Sequence, residues 1–296
     1  MAAPDLAFIG FGEAAQAFAG GIADQFGRPL RGYDRIATPE KQAEFAAHHV
    51  VACDSNAAAI AGANLILSVV TADQALAAAE ETAEGIRPTA LFCDCNSVAP
   101  DTKRAAARAI EASGGRYVDV AVMAPVHPKR LAVPLLLAGP HAEEAAEALR
   151  AVGFTSVRAL GGAVGRASSI KMIRSVMVKG IEALSAECAL AAEAAGVRAE
   201  VLASLDASWR EESWETRFDY NLDRMMLHGL RRAAEMEEVV ATLESLGTGA
   251  AMTRGTVQRQ RAIGSLGLKA PPEGLQHKLD SLRASFADSP GEEQPA

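Results

Sequence analysis

The chain has 296 residues, 49% of them hydrophobic and 22% charged, with a formal net charge of -8. This is ordinary globular composition, at a length that can bury a full core in one large or two moderate domains. The acidic balance and the 5% aromatic content argue against a nucleic-acid surface and give no reason to invoke a membrane.

The N-terminus reaches a strand and a glycine turn at once, with no basic region before an apolar run, so no signal peptide is expected. Apolar runs at 6–11 (LAFIGF), 29–34 (PLRGYD), 64–70 (NLILSVV), 90–96 (ALFCDCN), 116–123 (RYVDVAVM), 134–139 (PLLLAG) and 155–160 (TSVRAL) read as strands. Alanine-rich helical segments lie between them. Thr38-Pro39 reads as an N-cap with proline at the first helical position, and Gly139-Pro140 is read similarly. Gly114 and Gly153 read as helix stops. Strand–helix alternation of this kind predicts βαβ units in a mostly parallel sheet with helices on both faces.

After Gly165 the strands stop. Ile170, Ile173, Met177, Ile181, Leu184, Cys188 and Ala191 recur at helical spacing, with Met172, Val176 and Ala183 apolar on another face. A helix apolar on so much of its circumference is expected to be buried, between domains or subunits. At roughly 30 residues it would be about 45 Å long. The predicted division is an α/β domain over 1–162, a helical domain over 163–285 and a disordered polar tail over 286–296. The four cysteines fit neither a disulfide framework nor a zinc site, which points to a reduced, cytoplasmic protein. No cluster has metal-ligand spacing.

Gly10-Phe11-Gly12-Glu13-Ala14-Ala15 is a GxGxxA turn between a strand and a helix. An acid, Asp34, ends the next strand ~20 residues on, as a dinucleotide fold requires. Gly10 would permit the tight turn. Gly12 would let a pyrophosphate approach the free N–H groups of the helix, and Ala15 would let helix and strand pack closely. Asp34 suits the ribose hydroxyls of NAD. Arg35 beside it offers a hold on the 2′-phosphate of NADP, so NAD is preferred and NADP stays open. Val70 and Thr71, where the 64–70 strand ends, are placed in the same crevice.

The order of motifs resembles the β-hydroxyacid dehydrogenase family, which includes 6-phosphogluconate and 3-hydroxyisobutyrate dehydrogenases. Beside the glycine turn, DCNSVAP (94–100) looks like the family's D-x-S-T-x-x-P loop, which places Asn96 with the cofactor and Ser97 with the substrate. YVDVAVMAP (117–125) looks like its D-A-P-V-S-G-G substrate motif, with Val122, Met123 and Ala124 where V-S-G stands. GRASSIKMIRS (165–175) is similar to G-x-G-x-x-x-K-x-x-x-N, which implies that Lys171 is the catalytic lysine. Ala167 replaces the second glycine, Ser175 the asparagine, and Met123-Ala124 the serine-glycine pair. The stretch RMMLHGLRRAAEMEEV (224–239) resembles a bacterial subgroup whose C-terminal domain has no well-assigned activity. The resemblance implies a Rossmann-type doubly wound sheet, an all-α domain led by the long helix, and a homodimer of interlocked helical domains.

Oxidising an alcohol needs a hydride acceptor and a base for the hydroxyl proton. A lysine desolvated at a helix start serves as that base. Ser175, one turn on, shares its face and could orient the amine or hold the substrate oxygen. His228, Arg231 and Arg232 fall on one side of a helix with Glu235. They suit an anionic substrate group, with a solvated face of internal ion pairs as the competing reading. The expected activity is reversible NAD(P)-linked oxidation of a hydroxy acid or related polyol acid. The rivals are an imine reductase or oxidoisomerase on the same scaffold and a nucleotide-binding sensor without turnover.

Overall fold

The computed structural model describes residues 5–23, 30–194, 196–208, 213–245, 250–268 and 270–287. The chain forms two compact units, Met1–Ile173 and Arg174–Ala296. The expected boundary at 162 lies before the long helix, whereas the units divide inside it.

The first unit runs β1 (Leu6–Ile9), α1 (Glu13–Ala23), β2 (Leu30–Tyr33), α2 (Pro39–Ala47), β3 (Val50–Ala52), α3 (Asn56–Ile60), β4 (Leu65–Ser68), α4 (Ala75–Ala83), β5 (Leu91–Asp94), α5 (Pro100–Ala112), β6 (Arg116–Val122), β7 (Leu135–Ala138), α6 (Ala142–Ala151), β8 (Val157–Ala159) and the first turns of α7 (Arg166–Ala194). The strands form one sheet ordered β3-β2-β1-β4-β5-β6-β7-β8. All neighbours are parallel except β6 and β7. The order reverses between β1 and β4, and the loops leaving the carboxyl ends of those strands frame the crevice where such sheets bind ligands.

Alternate residues of each strand feed two cores. Phe8, Leu65, Leu67, Val118 and Val120 pack on one face, and Ala7, Ile9, Ile66, Phe92 and Tyr117 on the other. Burial on both faces is why these strands read as continuous apolar runs. The edge strand β3 was not expected. Three residues are too few to show a period, and only Val50 is buried. The cap at Thr38 forms, its hydroxyl accepting from Lys41 N–H. Gly139-Pro140 does not start a helix, because Gly139 turns the chain at φ +113° and α6 begins only at Ala142. Gly114 and Gly153 have φ of +83° and +103°, the left-handed stop conformation.

The second unit holds the rest of α7, then α8 (Arg198–Ser208), α9 (Trp214–Ser245), α10 (Ala251–Gly264) and α11 (Leu275–Ala287). Its apolar core joins Ala186 and Ala189 of α7 to Phe218, Leu222, Met225 and Met226 of α9, Ile263 of α10, and Leu275, Leu279 and Leu282 of α11. Helices α9 and α10 touch backbone to backbone. A Cβ on Gly229 would lie 2.4 Å from the Gln260 carbonyl oxygen, and one on Gly264 would lie 2.4 Å from Leu230 N.

The 29 residues of α7 make a helix about 43 Å long. The stripe expected to be buried is largely exposed. Ile170, Ile173 and Leu184 are exposed, and Met177 is 63% exposed. The buried face carries Met172, Ser175, Lys179, Glu182, Ser185 and Ala186. The side chains of Cys188 and Ala191 lie outside the described residues, as does the 288–296 part of the expected tail; Phe286 and Ala287 belong to α11. Among the described residues no helix is long and apolar enough to cross a membrane.

Candidate active site

The glycine turn leaves β1 at the sheet's switch point. Gly10 has φ +87°, and a Cβ there would fall 2.6 Å from the Val69 carbonyl oxygen, so no other residue fits. The Phe11 peptide is held on both sides. Its N–H donates to Asp34 Oδ2 at 2.7 Å. Its carbonyl accepts from Lys41 Nζ at 3.0 Å and from Gln16 Nε2 at 3.3 Å. Glu44 in turn accepts from both Lys41 and Gln16. The Phe11 ring stacks on Phe45 with centroids 4.0 Å apart.

Gly12 is different. A Cβ there would meet nothing within 4 Å, so no contact within the described residues demands glycine at that position. The open space lies over the start of α1, where the N–H groups of the first turn have no intrahelical acceptor. Glu13 is exposed, Ala14 half-buried and Ala15 fully buried. These features fit a dinucleotide pyrophosphate resting against Gly12. Both Asp34 oxygens already accept backbone N–H groups, the second from Ile36 at 2.9 Å, so the acid braces the turn. Arg35 is exposed and donates to the Gln74 side chain.

The neighbouring loops are also braced. Asn96 Oδ1 accepts from Val70 N–H at 2.7 Å, and its amide donates to Ser68 Oγ at 3.0 Å. The Asn96 side chain therefore straps the β5 loop to the β4 loop. Thr71 leads a single helical turn, Ala72–Gln74. The Asp73 carboxyl is held below its ordinary pKa, first by the Thr71 hydroxyl and then by Gln74.

Next along the sheet, Lys171 Nζ donates to Ser97 Oγ, and both residues are half-buried. Three details bring α7 to this place. Gly165 turns at φ +102°, and a Cβ there would lie 2.5 Å from the Arg104 guanidinium. Ala167 is fully buried against Ala121 and Ala138, so a single methyl fills that contact. Asp119 Oδ2 accepts from Gly165 N–H at 3.0 Å, Ser168 N–H at 3.1 Å and Ser168 Oγ at 3.2 Å, which caps the helix start. Met123 packs beside the Ala167 layer. Val122 and Ala124 alternate to the opposite face and join the other core. Cys95, next to this group, is fully buried; burial pushes its thiol up to about 12 against the pull of Lys103 and Lys171. It is therefore a protonated thiol at neutral pH and no nucleophile.

The sequence reading missed Lys103, Asp119, Gln16, Lys41 and Glu44. A signal existed for two of them. Asp119 interrupts an apolar strand, and Lys103 falls on the apolar stripe of α5 with Pro100, Ala106, Ala107 and Ile110.

In the helical unit, Ser175 and Lys179 are buried, with Lys179 Nζ 3.5 Å from Ser175 Oγ and 2.7 Å from Glu235. Arg231 is exposed and pairs with Glu235 at 2.8 Å. Arg232 points inward to Glu182, so the two arginines do not share a face. His228 and Arg231 line an open groove of about 550 Å³ with Gly229, Gly264 and Leu268.

Residues 5–161 match the NAD binding domain of 6-phosphogluconate dehydrogenase. The chain belongs to the β-hydroxyacid dehydrogenase family. Residues 192–263 match a domain of unknown function, DUF1932. A conserved hypothetical protein from Sinorhizobium meliloti 1021 is 40% identical, with 94% of this chain and 95% of that one covered and a TM-score of 0.72. The 3-hydroxyisobutyrate dehydrogenase of Mycobacterium tuberculosis, solved with L-serine, is similar in fold at 18% identity, with 95% and 99% covered and a TM-score of 0.72. A reductive aminase from Aspergillus terreus, solved with NADPH and ethyl levulinate, has 20% identity, coverages of 96% and 99%, and a TM-score of 0.58. A search of curated proteins found no match. The protein is thus an NAD(P)-binding oxidoreductase of this family.

Proposed function

We propose that this dehydrogenase reversibly oxidises a small anionic hydroxy acid, using NAD, with Lys171 as the acid/base. The observation that carries the reading is the Lys171–Ser97 pair, held at the carboxyl end of β5 on the same sheet edge as the open Gly12 cradle. A bound nicotinamide supplies hydride acceptance and donation. Lys171, as the amine, takes the hydroxyl proton of the substrate and, as the ammonium, returns it in the reverse direction. Ser97 accepts a hydrogen from Nζ, which leaves its own O–H to donate to the substrate oxygen. Asn96 holds the two loops around this point.

NAD is favoured over NADP because the Asp34 carboxylate is fixed by two backbone N–H groups and repels a 2′-phosphate. Arg231 and His228 are assigned to an anionic group as a separate proposal, for which Arg231→Ala should raise the substrate KM; Arg232 is engaged with Glu182. The exposed apolar stripe of α7 supports a homodimer, and the three cysteines described as free support a cytoplasmic setting.

The experiment is a panel of short hydroxy acids and of cyclic and acyclic imines, with NADH absorbance as the readout. The reading expects hydroxy-acid oxidation with NAD. Turnover of imines alone would favour the reductase reading, which Met123 and Ala124 in the substrate motif support. NADH binding with no turnover on either set would favour a sensor.

A further inference from the structure

Asp94 on β5 and Asp119 on β6 are register partners in the sheet, and both are fully buried. Two carboxylates side by side in an apolar interior repel strongly. Between them lies Lys103 of α5, also fully buried. Its Nζ donates to Asp94 Oδ1 at 2.9 Å and to the Asp94 carbonyl oxygen at 2.5 Å, and it stands 3.7 Å from Asp119 Oδ1. Among the described residues Asp119 Oδ1 accepts no hydrogen bond, so this ammonium balances it by charge alone. Tyr117 completes the group by donating to Asp94 Oδ2 at 2.6 Å.

The two carboxylates act on different parts of the site. Asp94 Oδ1 accepts from Asn96 N–H at 3.0 Å, which fixes the loop carrying Asn96 and Ser97. Asp119 Oδ2 caps the start of α7, which carries Lys171. One buried cation therefore joins the support of Ser97 to the support of Lys171. Stability is a poor reason for such a group, because apolar residues of equal volume usually serve as well or better.

We propose that Lys103 is a positioning residue that sets Lys171 against Ser97 through Asp94 and Asp119. It acts through the two aspartates that it meets. The proposal rests on Lys171 being the reactive lysine, yet its test needs no turnover.

The test is carbamylation of the full-length protein by cyanate over about pH 6–10, followed lysine by lysine by mass spectrometry. Lys129, which is exposed, is the internal reference. The charged and titratable groups around this part of the site are Cys95, which interacts with Lys171, Asp94 of β5, Lys103 of α5 and Asp119 of β6. The wild-type pH profile of Lys171 should differ from that of Lys129, and in Lys103→Met the two should converge, with a rate change at Lys171 of about threefold or more near neutral pH. A merely structural lysine would lower the melting temperature and leave the Lys171 profile of the folded protein unchanged, and that result overturns the proposal. Should Lys103→Met not fold, Asp119→Asn keeps the volume and weakens the same link. Convergence there supports the proposal, and an unmoved profile overturns it. NADH-linked activity of Lys171→Ala reports separately on the catalytic reading.

Discussion

The two units bury different things. In the α/β unit the central strands are buried on both faces by apolar side chains. Apart from the Asn56–Thr82 pair, the buried polar groups there, Ser68, Asp94, Asn96, Lys103, Asp119 and Ser168, belong to the network around the site. In the helical unit the buried face of α7 carries Ser175, Lys179, Glu182 and Ser185, while Ile173, Met177 and Leu184 face outward. Partners for these groups come from α9 and α10. Lys179 meets Glu235, Glu182 meets Arg232 and Gln260, and Ser185 accepts from Asn221 at 2.8 Å. A sheet sandwiched between helices can fill its core from one chain. In the proposed dimer, a long helix that also serves a second subunit turns its apolar side to that subunit and its polar side inward.

The contrast can be tested first where the expected effect is largest. Arg232→Leu strands the Glu182 carboxylate and should cost about 3–5 kcal/mol in urea unfolding, whereas the double replacement Arg232→Leu with Glu182→Met should recover most of it. If both single and double variants are equally unstable, the polar interior is held by something other than this pair. Gly229→Ala forces α9 from α10 at a backbone contact and should cost about 1–3 kcal/mol. An unchanged melting temperature would show that the crossing has slack.

Smaller effects sharpen the outward face. Met177→Glu should change the folded subunit's stability by no more than about 0.5 kcal/mol, yet shift the mass seen by light scattering from dimer to monomer. An unshifted mass would remove the explanation offered for the exposed stripe. The smallest effect is in pH dependence. Burial holds the Glu182 carboxyl above the ordinary glutamate range, against the pull of Arg232. An acid raised on folding stabilises most when protonated, so its contribution is present below the unfolded value and lost as pH rises through the folded one. Glu182→Gln should flatten that part of the stability profile, and an unaltered slope would assign it to another group.

The sequence made some features plain and hid others for physical reasons. Gly10, Gly12 and Ala15 were legible because a tight turn, a ligand approach and a close packing each restrict residue type locally. Lys171 stood out as a charge at the start of an apolar helix. The period of α7 was legible too, but period does not say which face turns inward. Glu182 and Arg232 lie 50 positions apart, and nothing local pairs them. Lys103 had no role legible in the sequence, because its partners Asp94 and Asp119 meet only through the register of β5 and β6. Strand β3 was too short to carry a pattern at all.

Everything proposed about the chemistry turns on Lys171 moving the proton in an NAD-linked oxidation. The most direct measurement compares wild type and Lys171→Ala for NADH binding, by fluorescence, and for turnover of the best hydroxy acid from the panel. The expected result is unchanged NADH affinity with turnover lowered by about 10²–10⁴-fold. Turnover within a few-fold of wild type would contradict the assignment.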